Sequence, residues 1–242
     1  MTAPDPTGDP SFATTRWTVV LAAAGADSVP VRAALETLCA TYWYPLYAFA
    51  RRRGADRHRA ADLVQGFFAA LIEKRWAADA DPERGRFRAF LLTAFQRFCA
   101  KEHERDAAQK RGGGHVVLSL DFDDGETRFQ AEGAVELEPE RAFERRWALT
   151  ILARALDATC RECRDGGRAE LCTALIPYIG GAGEARPYAE IAARLGMTEG
   201  AVKVAVHRLR GRYREHLRAE IRDTVSDDAA VDDEIVHLMR AV

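Results

Sequence analysis

Four residues, Lys203, His207, Arg210 and Arg214, recur at intervals of four, three and four in a basic segment near the C-terminal end of the chain. At about 100° per residue of helix they share one side, a row of cations and hydrogen-bond donors suited to a polyanion. Arginine presents a planar fork that fits the guanine edge bidentately, whereas lysine is a point charge that more often finds a phosphate. The same segment places Val202, Val206, Leu209 and Tyr213 at intervals of four, three and four. These four fall within an arc of roughly 60°, and the cations lie about 80–140° from Val202 on the same wheel. Upstream, Tyr188–Leu195 forms a shorter helical pattern, Gly196 supplies a residue able to leave helical geometry, and Thr198 can cap the next helix with its hydroxyl. One face packs and the next offers charge across a tight turn. That layout is a helix-turn-helix, whose second helix enters a DNA major groove. A solvated amphipathic helix would need neither the turn spacing nor the single charge sign.

The rest of the chain must position this element. Its 242 residues suffice for one large domain or two small ones. The net charge of −2 conceals a partition: residues 194–218 carry seven Lys/Arg against two acids, while 121–140 carry eight acids against Arg128. A further seven acids fall in 220–234. A bound polyanion responds to the nearby basic surface, so the local sign matters more than the total. No apolar run approaches the ~18 residues of a membrane span, and the N-terminus has neither the basic nor the apolar part of a secretory signal. Five cysteines, an odd count without regular framework, fit a reducing cytoplasm. Cys160-x-x-Cys163 could be half of a metal site, but only Cys172 lies close and no His-x-x-x-His follows, so no metal is expected. No cofactor is expected either. Gly112–Gly114 lacks the Lys-Ser/Thr of a phosphate-binding loop, and no nucleophile motif stands elsewhere, which argues against an enzyme with catalytic residues.

Helical patterns cover most of the chain and predict an all-α fold. The Pro-rich start and a short docking helix over 12–24 make an N-terminal extension, 1–30. Patterns over 31–53 (closed by Gly54), 57–76 and 86–110 form one unit spanning 31–112, with Val64, Phe67, Phe68, Leu71 and Ile72 on one buried stripe. Phe87, Phe90, Leu91, Ala94, Phe95 and Phe98 form another. Residues 113–139 lack a helical period and hold most of the acidic run, which reads as a linker with Val116–Leu118 as a short extended piece. Patterning resumes over 142–163 and 171–179 and ends in the helix-turn-helix, giving a second unit, 140–221. An acidic tail, 222–242, closes with a short helix near Ile235–Val242.

Three segments in this order and spacing carry a resemblance: RAADLVQGFFAALIEK (59–74), FRAFLLTAFQRFCAKEHERDAAQKR (87–111) and YAEIAARLGMTEGAVKVAVHRLRGRYREHL (188–217). Over about residues 33–220 the chain resembles bacterial RNA polymerase sigma factors, closest to the small extracytoplasmic-function group. The resemblance implies two helical domains on an acidic linker, one melting the promoter and one reading duplex DNA. Core RNA polymerase and promoter DNA are the implied partners, with an anti-sigma factor or other regulator as a further one.

Site residues are carried over position by position. Asp62, Leu63, Val64, Gln65 and Phe68 stand where such factors dock on the polymerase clamp, although Ala60, Ala61 and Gly66 replace some of the usual acids. No Ser or Thr between Arg51 and Lys74 offers a phosphorylation site in their stead. The loop 79–86 and the helix after it match the part that captures −10 bases, with Arg88, Gln96, Arg97 and Lys101 as DNA contacts. Lys203, Val204, His207, Arg208 and Arg210 match the −35 contacts. The competing expectation is a stand-alone helix-turn-helix regulator that works without polymerase core. The acidic tail beside a basic DNA face suggests an intramolecular regulatory role.

Overall fold

The apolar stripes become helices where their periodicity asks for them. Helix α1 spans Val29–Arg52, α2 Arg57–Glu73 and α3 Phe87–Ala108. Gly54, with φ 92°, closes α1 as expected, in a left-handed geometry that costs other residues about 1–2 kcal/mol. Asp56 caps α2, its Oδ1 accepting the Arg59 amide proton at 2.8 Å. Helix α4 (Phe122–Ala131) is followed by the long α5 (Pro139–Asp165) and the short α6 (Ala169–Leu175), which runs into a 3₁₀ turn at Ile176–Tyr178. Helices α7 (Tyr188–Leu195), α8 (Glu199–Arg222) and α9 (Ala230–Ala241) complete the order. The structure is a computed structural model and describes residues 29–73, 86–108, 122–131, 137–180, 186–222, 224–225 and 229–242. All regular structure among these residues is helical. The expected helix over 12–24, most of the loop 79–86, the glycine run 112–114 and the piece Val116–Leu118 lie outside them.

Two apolar clusters hold the helices together. The larger gathers Tyr42, Tyr47 and Phe49 of α1, Val64, Phe67 and Phe68 of α2, and Phe87, Leu91 and Phe95 of α3. Its rings meet edge to face, Phe67 on Phe95 at 5.2 Å and Tyr42 on Phe87 at 5.6 Å between centroids. Such pairs add about 0.5–1.5 kcal/mol each beyond their burial. The smaller cluster joins Cys172, Leu175 and Tyr178 to Ile191 and Ala192 of α7 and to Val202, Val206 and Leu209 of α8.

The expected division at 113–139 does not describe this packing. Phe143, Trp147 and Ile151 from the 140–221 segment, and Val231 and Leu238 from the tail, sit in the larger cluster with the helices of 31–112. Trp147 and Ile151 are fully buried there, so these large apolar groups leave water beside the aromatic face already present. Helices α5 and α8 belong to both clusters and run in opposite directions. Helix α5 starts in the larger cluster and reaches the smaller with Cys160 and Cys163, whereas α8 starts in the smaller and ends in the larger with Leu217 and Ile221.

Within the segment expected as a linker, α4 docks on α1. Buried Glu126 accepts hydrogen bonds from Arg51 Nε at 3.0 Å and Nη2 at 2.9 Å and from the Tyr47 hydroxyl. The Arg51 guanidinium holds its carboxyl down at about 2, against an ordinary 4.5. Phe122 meets Trp43 edge-on at 5.6 Å, and a Cβ at Gly125 would lie 2.7 Å from the Trp43 ring. The absence of a side chain at Gly125 is what allows this approach.

Candidate nucleic-acid interface

The turn between α7 and α8 is built as its residue types require. Gly196 adopts φ 63° and ψ 33°, and the Met197 amide donates back to the Ala192 carbonyl at 2.9 Å. This returns an otherwise unsatisfied carbonyl to a partner. Thr198 Oγ1 accepts the Ala201 amide proton at 3.2 Å, capping α8 from the expected position. Val202, Val206 and Leu209 are buried against α6 and α7. Tyr213 continues the stripe but lies against the larger cluster, its hydroxyl 3.4 Å from the Leu152 carbonyl.

With that stripe packed, Lys203, Val204, His207, Arg208 and Arg210 all lie on the exposed side of α8. Val204 is half exposed, at 50%, an apolar group presented to solvent among cations. The five are not equivalent. Lys203 Nζ sits 5.9 Å from the Tyr188 ring centroid, and Arg210 Nε donates to the Tyr178 carbonyl at 2.9 Å. Both are therefore steadied by the elements in front of α8. Arg212, one turn on from Arg208, is taken up by Glu162 at 3.2 Å and Glu215 at 3.0 Å. Val204, His207 and Arg208 border an open groove of about 890 Å³ whose opposite bank is formed by Arg168, Leu171 and Cys172. Arg168 is exposed there, and sequence reasoning missed it because it precedes α6 and belongs to no periodic stripe. Its place across from Arg208 makes it a phosphate-holding candidate.

Helix α3 treats its cations differently. Arg88, expected to touch DNA, is 2% exposed and pairs with Glu144 of α5 and Glu234 of α9, its guanidinium 4.3 Å from the Trp147 ring centroid. That expectation is corrected: Arg88 is an internal ion-pair residue. The reason is visible in its register, since Arg88, Leu91 and Phe95 follow one another at three and four residues and share a buried face. Glu234 likewise lies between Val231 and Leu238 on the buried side of α9, and also accepts Arg86 Nε at 2.8 Å. Gln96 reaches across to Glu140, Nε2 to Oε1 at 3.0 Å. Arg97 and Lys101 remain exposed. The described part of the acidic tail thus meets α3, α5 and the end of α8, including an Arg218–Asp232 pair.

On α2 the five expected docking positions separate. Asp62 is exposed and Gln65 half-buried, while Leu63, Val64 and Phe68 are buried in the larger cluster. In this packing those three support the helix from beneath and only Asp62 and Gln65 present themselves to a partner. Among the described residues no group of three or more His, Cys, Asp or Glu side chains is placed to hold a metal ion, and no helix is long and apolar enough to cross a membrane. Comparison with known proteins supplies no further identification: no family model, no curated protein and no solved structure matches the chain.

Proposed function

We propose that this chain is a promoter-specificity subunit of the extracytoplasmic-function sigma type, binding core RNA polymerase and directing initiation without catalytic activity of its own. The observation that carries the reading is the outward face of α8, where Lys203, Val204, His207 and Arg208 stand exposed on a correctly capped helix-turn-helix. In this reading α8 lies in the major groove of the −35 element, with Arg208 at a base edge and Lys203 and Arg168 at phosphates. Arg97 and Lys101 hold the opened −10 strand, and Asp62 with Gln65 meets the polymerase clamp. The two readers are two helical units in function, joined in this chain by the shared helices α5 and α8.

The test is to map transcript starts on genomic DNA fragments incubated with core polymerase, with and without the purified chain. New starts that share sequence blocks near −10 and −35 support the proposal. Tight duplex binding without core, and no core-dependent start, would replace it with the stand-alone regulator.

A further inference from the structure

Three of the five cysteines come together where α5 ends and α6 begins. Cys172, buried at 4% exposure, has its Sγ 3.9 Å from that of Cys160, and Cys163 packs against the same cluster. Cys160 and Cys163 are partly exposed, and Cys163 and Cys172 line the groove that Val204 and Arg208 border. The Cys160 and Cys172 sulfurs are thus already neighbours, against the about 2.05 Å that a disulfide needs. The Cys172 thiol is pushed up to about 12, first by burial and then by its two thiol neighbours. It stays protonated and is a poor first nucleophile. The partly exposed partners are the ones a solute can reach.

We propose that Cys160, Cys163 and Cys172 form a peroxide-reactive thiol site that closes a disulfide between Cys172 and the α5 pair, Cys160 foremost. In the first step the Cys160 thiol gives its proton to solvent, the thiolate attacks a peroxide oxygen, the O–O bond breaks, and the departing hydroxide takes up a proton, leaving a sulfenic acid and water. In the second the Cys172 sulfur bonds to the sulfenic sulfur and its proton leaves with the hydroxyl as water. Two thiols are oxidised and one hydrogen peroxide is reduced to two waters. The bond ties α6 to α5 directly beneath the groove bank that faces α8. Its consequence for DNA reading rests on the function proposed above; its formation does not.

The reduced full-length chain is treated with hydrogen peroxide, its remaining thiols are alkylated, and tryptic peptides are mapped without reductant. Arg161, Arg164 and Arg168 separate the three cysteines, so each linkage yields a distinct cross-linked peptide. The expected result is loss of two of the five alkylatable thiols, with Cys172 joined to Cys160 or Cys163 and the link absent in Cys172→Ala. Should that variant not fold, the double variant Cys160→Ser/Cys163→Ser must also lack the link. A Cys160–Cys163 bond alone, bonds only to Cys39 or Cys99, or no intramolecular bond overturns the site. In parallel, core-dependent binding to promoter DNA should fall several-fold on oxidation of the wild type and stay unchanged for the double variant. A disulfide that forms in a chain binding no DNA in either state would leave the thiol site standing and sink the proposed function.

Discussion

Helix α3 carries Arg88, Gln96, Arg97 and Lys101, and helix α8 carries Lys203, Val204, His207, Arg208 and Arg210, on patterns that look alike until their neighbours are known. On α3 the first turn lies against α5 and α9, which bring Glu144 and Glu234, and Arg88 is withdrawn into the core. On α8 the acids Glu162 and Glu215 pair with Arg212, Glu162 with His216 as well, and Arg208 is left on the exposed side. A cation is a ligand contact or a structural tie according to which acid a distant helix delivers. The periodicity of its own helix does not decide it.

The strongest challenge to this contrast is Arg88→Ala, which removes the buried partner of Glu234 and leaves that carboxylate with Arg86 alone. It should lower the unfolding free energy in urea by about 3–5 kcal/mol, the cost of removing one partner of a buried pair. A loss under about 1 kcal/mol would mean that α9 is held by its apolar side alone. Next in size is the carboxylate of Glu126. Its folded pKa of about 2 lies below its ordinary 4.5, so the stability it contributes is present above pH 4.5 and drains away as pH falls toward 2. At neutral pH that contribution amounts to at most about 3 kcal/mol. The stability gap between wild type and Glu126→Gln should therefore narrow between pH 7 and pH 3, and an unchanged gap would remove Glu126 as the anchor of α4.

For α8 the signature is the reverse, lost affinity with stability kept. Arg208→Ala should cost about 1–3 kcal/mol at a cognate −35 site, and equal loss on every sequence would reassign it to phosphate. Its unfolding free energy should move by no more than about 0.5 kcal/mol. The smallest effect is Gly196→Ala. No atom lies within 4 Å of the added Cβ, so only the left-handed φ of 63° is penalised, at about 1 kcal/mol. A larger loss of DNA affinity than of stability would show that the angle between α7 and α8 is itself part of the reader.

What could be read in the sequence was whatever depends on near neighbours. The stripe Val202, Val206 and Leu209, the turn at Gly196 and the cap at Thr198 need only residues a few positions apart, and all three stand as expected. So do the aromatic stripes of α2 and α3, apart from Ile72, whose side chain lies outside the described residues. Arg88 with Glu234, and Arg51 with Glu126, were hidden because their partners are 146 and 75 residues away. One signal was present: Glu234 stands at three and four residues between Val231 and Leu238, where the period calls for an apolar side chain. The acidic stretch 113–139 misled for a related reason. Composition reports mean solvation, and a single Glu126 facing Arg51 outweighs it locally.

The burial of α9 bears on how the chain comes to be folded. Trp147 and Arg88 belong to a core whose remaining walls, Val231, Glu234 and Leu238, come more than seventy residues later. Helices α1 to α3 can collapse on one another during synthesis, because their contacts are near in sequence. The assembly around Trp147 must wait until residue 238 has been made. Until then the Trp147 surface stands open and Arg88 has Glu144 but not Glu234, which makes the nascent chain a substrate for chaperones and proteases at that stage.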